Sequence, residues 1–182
     1  MEKTLRDYWI EMSIREISTQ AKFAGLAFQN LDPKAIQGPD AVFSSIHSFL
    51  SHCTMISKML KACEVVPDTN NIEQILGIDE HSVIHNRVFR NHLEHYDDRL
   101  RRWIGRFAEG TNVGTYNIGP KNAIQVSNFI FVSHYDPTAY TFTFIDEDFD
   151  LMALSIEASR IKAAADQWVT SLQSGTLALP FG

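Results

Sequence analysis

Apolar residues return at alternating steps of four and three along most of this chain, the spacing that keeps them on one face of a helix. Ile10, Ile14, Ile17, Ala21, Ala24, Phe28 and Leu31 predict a long amphipathic helix over residues 3–31, stopped by Asp32-Pro33. Gly38-Pro39-Asp40 then supplies a turn and a cap. A second helix follows, its stripe formed by Val42, Ile46, Phe49, Cys53, Ile56, Leu60 and Cys63. After a short helical segment around Ile72 to Ile78, the stripe Phe89, Leu93, Tyr96, Leu100, Trp103 and Phe107 predicts a third long helix from Ser82 to Phe107. Leu151, Leu154, Ala158, Ile161, Ala165, Trp168 and Leu172 predict a last helix from about Asp148 to Leu172, with Asp146, Glu147, Asp148 and Asp150 at its electropositive end.

Between the third and fourth helices the period changes. Residues 108–127 are polar and glycine-rich, and two β-branched and aromatic runs, Asn128 to Asp136 and Tyr140 to Ile145, are joined at Asp136-Pro137-Thr138-Ala139, which predicts a β-hairpin. The expected fold is therefore mainly α: a four-helix up-down bundle with a β-hairpin inserted between the third and fourth long helices. It forms one domain, residues 1–182, with 108–147 as the loop and hairpin insertion. The hairpin aromatics Phe129, Phe131, Tyr140, Phe142 and Phe144 are expected to cover one side of the bundle.

Composition narrows the class. With 182 residues, 45% of them hydrophobic, the chain can bury a real core, and nine glycines and six prolines are too few for a disordered or collagenous protein. No apolar run could cross a bilayer, and the opening MEKTLRDYW is unlike a signal peptide. A soluble, cytoplasmic protein without membrane association is expected. The two cysteines, Cys53 and Cys63, lie on the second helix's buried stripe and read as small core residues.

The segment whose polar cluster packing does not explain is Asn86-Arg87-Val88-Phe89-Arg90-Asn91-His92-Leu93-Glu94-His95-Tyr96-Asp97-Asp98-Arg99-Leu100. On a continuous helix Arg90 would lie roughly 100° from the apolar stripe on one flank and His95 roughly 120° on the other, with Asn91 nearly opposite the stripe. Arginine offers a planar fork of donors that matches phosphate oxygens, and histidine exchanges protons near neutrality. Cleavage of RNA by its own 2′-hydroxyl requires a base, an acid and a cation beside the phosphate.

Arg90-Asn91-x-x-x-His95 resembles the Arg-x(4–6)-His signature of the HEPN superfamily, whose members are compact bundles of about four helices. The resemblance implies a metal-independent endoribonuclease acting as a homodimer, used as a toxin of a toxin–antitoxin system or in defence. His95 would be the general acid/base, Arg90 the phosphate ligand and Asn91 an orienting group. The implied partners are RNA, a second copy, and a cognate antitoxin or nucleotidyltransferase; no cofactor is implied. One histidine and one arginine make about half a site, so a symmetric dimer would supply the rest, with Ile84 and Val88 as its expected contact. A non-catalytic relative that binds RNA, a nucleotide or a protein through the same face is the first alternative.

A second alternative is a metal-binding bundle centred on His81 and His85, an i, i+4 pair able to share a zinc ion, with His47 or His52 as third ligand. Nothing resembles a phosphate-cradling loop or a nucleophile elbow.

Charge changes this picture last. The formal charge is −6, unfavourable for nucleic acid on average. Yet six of the nine arginines, Arg87, Arg90, Arg99, Arg101, Arg102 and Arg106, fall in residues 82–107 against Glu94, Asp97 and Asp98. Arg87, Arg99 and Arg102 are therefore the expected RNA-binding residues.

Overall fold

The computed structural model describes residues 3–31, 38–61, 72–86, 88, 91, 95–120 and 129–176. Three of the predicted helices are present: α1 (Leu5–Gln29), α2 (Pro39–Lys61) and, at the end of the chain, α5 (Leu151–Gln173). Thr4 starts α1 with a capping box, its hydroxyl accepting the Asp7 N–H while the Asp7 carboxylate accepts the Thr4 N–H at 2.9 Å. Asp150 caps α5 by accepting the Ala153 N–H at 2.9 Å.

α1 packs along both α2 and α5 and lies between them. Its core side is Ile10, Ile14, Ile17, Ala21 and Ala24, all buried against Ile46, Phe49, Cys53 and Ile56 of α2 and Leu154, Ala158, Ile161 and Ala165 of α5. Burial of Cys53 pushes its thiol up to about 12, so it stays a neutral packing group. Cys63 lies outside the described residues.

The expected four-helix bundle with a lone hairpin is not the fold. The second half holds a four-stranded mixed sheet, β1 (Asn112–Ile118), β2 (Phe129–Asp136), β3 (Thr141–Phe144) and β4 (Glu147–Asp150), in the order β1-β2-β3-β4. The predicted hairpin is its centre, β2 pairing antiparallel with β3. β1 adds to β2 in parallel, inside the segment expected to be loop, and β4 adds to β3 using the acidic residues expected to begin the last helix.

The register puts Tyr116, Tyr135, Phe142, Phe144 and Phe149 on one face, which packs where α1 ends and α2 begins. There Phe43 stacks on Tyr116 at 4.3 Å, and the Tyr135 hydroxyl donates to the Leu31 carbonyl at 3.1 Å. The sheet is thus a second layer of the core.

The third long helix is also corrected. Short α3 (Ile72–Ile75) is followed by a 3₁₀ turn, Val83–His85, and then by a nine-residue helix, α4 (Tyr96–Ile104). Asn86 is extended (φ −63°, ψ 104°) and His95 leaves helical geometry (φ −127°, ψ 33°). Side chains compete with the helix ladder here: Asp79 accepts the His81 N–H, Ser82 the Ile84 N–H, and Asn86 the Val88 N–H. Ile84 is 2% exposed and Val88 packs half-buried on the core, so the expected dimer contact faces inward. Among the described residues no helix is long and apolar enough to cross a membrane.

Candidate functional site

α4 is held to the core by one face. Trp103 is buried and meets Phe107 edge-on at 5.1 Å; Leu100 is half-buried; Tyr96 stacks on Phe144 at 5.9 Å. Those residues repeat the four-and-three spacing read from the sequence, over about three turns rather than seven. Asp97 and Asp98 in the first turn and Arg101 and Arg102 in the last match the helix dipole.

A second stripe lies roughly 100° round the helix from the apolar one. His95, Arg99, Arg102 and Arg106 follow at steps of four, three and four. Arg99 and Arg102 lie within α4, about one turn apart, while His95 is the N-cap before it and Arg106 follows the C-cap Gly105. The His95 carbonyl accepts the Arg99 N–H at 3.0 Å, which places the two residues on adjacent turns.

The three arginines line an open cleft of about 400 Å³ with Trp103, Ile145 and Glu147. Its far wall is the turn between β3 and β4. Ile145 (φ 47°) and Asp146 (φ 67°) both occupy the left-handed region, giving the two-residue turn whose twist fits a hairpin. A β-branched residue there is strained, and the turn points Asp146 at Arg106, with which it pairs across an exposed ion pair. Arg101 is on another side of α4, paired with Asp98 at 2.5 Å. The cleft therefore presents three guanidinium groups against the carboxylate of Glu147 and its neighbour Asp146.

Of the expected catalytic residues, Asn91 and His95 are exposed and one turn apart, the His95 N–H donating to the Asn91 carbonyl at 3.2 Å. Arg90 and Arg87 lie outside the described residues. The arrangement expected for Arg90 and His95 on two flanks of one helix therefore involves a residue outside the described ones. Arg99 and Arg102, expected to bind RNA, come together in the cleft. Arg106 and the strained turn were missed as site components, although the spacing of the three arginines was readable.

The paired histidines separate. His81 is in a turn, its side chain 87% exposed, whereas the His85 side chain is buried. His85 Nε2 lies 3.1 Å from Glu73 Oε1 and its Nδ1 is 3.3 Å from Ser57 Oγ. His81 and His85 thus form no shared ligand pair, and among the described residues no group of three histidines, cysteines or acids is placed to hold a metal ion. The hydroxyl, imidazole and carboxylate of Ser57, His85 and Glu73 follow the order of a hydrolase triad, but all three are buried. They join α2, α3 and the 3₁₀ turn as a polar bridge.

No protein-family model matches the chain, and neither the curated proteins nor the solved structures yield a match.

Proposed function

We propose that this protein binds single-stranded RNA through the cleft beside α4, with Arg99, Arg102 and Arg106 as phosphate ligands. The observation that carries this reading is the alignment of the three guanidinium groups along one open wall of an otherwise acidic protein. Such a field gathers a polyanion at one place and leaves the rest of the surface repellent to it. A single strand suits the site better than a duplex: the stripe is one short helix, and Tyr96, 41% exposed beside His95, offers a ring for base stacking.

Metal-independent cleavage is the second reading, favoured by the placement of His95 one turn before Arg99. A phosphate on Arg99 would lie within the reach of that imidazole, which could move a proton at the 2′-oxygen or the leaving 5′-oxygen. The homodimer and the antitoxin or nucleotidyltransferase partner belong to the HEPN-like proposal, whose support is the Arg90-x(4)-His95 spacing.

Binding of a labelled single-stranded oligoribonucleotide at low salt tests the first reading. The Arg99→Glu/Arg102→Glu variant should lose at least tenfold in affinity with unchanged circular dichroism, and equal binding by the variant would reject it. Incubation with total RNA plus chelator, beside His95→Ala, tests the second: cleavage must persist with chelator and vanish in the variant.

A further inference from the structure

α1 carries two apolar stripes, and only one of them is used by the core. On the side away from Ile10, Ile14, Ile17, Ala21 and Ala24 the positions Leu5, Trp9, Met12, Glu16, Thr19, Phe23 and Leu26 repeat at steps of four and three. This is the seven-residue period of a coiled-coil seam. It is open to solvent: Leu5 is 90% exposed, Met12 64%, Leu26 51%, Phe23 41% and Trp9 37%, and Tyr8 beside it 53%.

The seam reads apolar, polar, apolar from end to end, with Glu16 and Thr19 in the middle. It is therefore complementary to itself when reversed. Two copies of α1 laid antiparallel, with the two-fold axis between Glu16 and Thr19, set Trp9 against Leu26 of the second copy, Met12 against Phe23, and Glu16 against Thr19. The four inner apolar residues meet apolar ones, and Leu5 falls opposite Asn30. Glu16 and Thr19 face each other while the Glu16 carboxylate accepts from Gln20 and the Thr19 hydroxyl donates to the Arg15 carbonyl. A parallel pair would place Glu16 on Glu16, an unfavourable like-charge contact. Lys22 would approach Arg15 of the second copy, where Glu11 already holds Arg15 at 2.7 Å and offsets the repulsion.

At roughly 200 Å² for a large side chain, the exposed fractions of Trp9, Met12, Phe23 and Leu26 amount to roughly 390 Å² per copy, about half the ~800 Å² per partner of a standard interface, so the contact must reach beyond the seam. His52 and Met55 of α2 border the Phe23 end, His52 meeting the Phe23 ring at 5.4 Å and Met55 being 37% exposed, so the contact can extend onto a second helix.

We propose that a second copy of this chain docks on α1, antiparallel, through Trp9, Met12, Phe23 and Leu26. This homodimer does not depend on RNA binding, and it puts the contact on α1 rather than around Ile84 and Val88. Sedimentation equilibrium of the full chain at micromolar concentration should give twice the chain mass. Met12→Glu/Phe23→Glu alters two exposed positions and should give a monomer with the same circular dichroism and a melting temperature that no longer depends on protein concentration. In oxidised mixtures, Glu16→Cys should crosslink to Thr19→Cys more than to itself, because only the antiparallel register brings those positions together. A wild-type monomer, a dimer that survives Met12→Glu/Phe23→Glu, or a monomer that instead uses Trp9 and Met12 to bind anionic vesicles would overturn the proposal.

Discussion

His47 shows how one residue couples the two layers of the core. It lies on α2 with its ring edge-on to Phe142 and Phe144 at 6.2 and 6.4 Å, and burial holds its pKa below the ordinary histidine value of 6.5. In the unfolded chain the imidazole takes up a proton near that ordinary value, whereas in the folded protein it does so only at lower pH. Between the two, the unfolded state binds more protons, so stability rises with pH and is lost as pH falls from about 7 towards 5. The melting temperature should therefore drop over that range, and His47→Phe, which keeps a ring between the same neighbours, should flatten the profile. An unchanged profile in His47→Phe would assign the effect to other groups, such as His52, whose pKa burial also lowers.

At the level of elements, α1, α2 and α5 were legible because their stripes run unbroken for more than five turns, so alternatives at either end change little. The third stripe was misleading. Tyr96, Leu100 and Trp103 do share one face of α4, with Phe107 packed on Trp103 just beyond it, but Asn86 and His95 leave helical geometry within the predicted span, and Phe89 and Leu93 lie outside the described residues. Side-chain hydrogen bonds to nearby N–H groups break a helix without disturbing the apolar spacing, so periodicity alone could not detect them. β4 was hidden for a related reason: Glu147, Asp148 and Asp150 suit a helix start as well as an exposed strand, and only Asp150 serves as the cap. β1 has no alternation strong enough to read, and its third residue is Gly114. That glycine faces Phe131 across the parallel pair, and a Cβ there would come within 2.6 Å of the Phe131 ring and 2.9 Å of Phe129. Gly114→Ala should consequently cost about 1–3 kcal/mol, a fall of several degrees in a thermal melt. A neutral result would show that the two rings can give way.

For the whole molecule, what matters is where its charge sits. Net acidity of −6 and a local row of three arginines are compatible because the row is gathered on α4 and the residues just after it, while Asp146 and Glu147 rim the cleft from the neighbouring turn. The sequence revealed the arginine excess, and Arg99 and Arg102, two of the residues it singled out, meet in the cleft. It did not reveal that a strained β3–β4 turn forms the opposite wall, because that needs the sheet. The exposed seam of α1 is a second whole-molecule feature, on another face, and the two can be tested separately. The most direct test of RNA binding through α4 is the slope of log affinity against log salt for a labelled single-stranded RNA. Three phosphate contacts on a single strand correspond to a slope of about −2. Arg99→Ala should reduce its magnitude by about 0.7, and Asp146→Asn, which releases Arg106 from its ion pair, should tighten binding. A slope near zero in the wild type, or one unchanged by Arg99→Ala, would contradict the account.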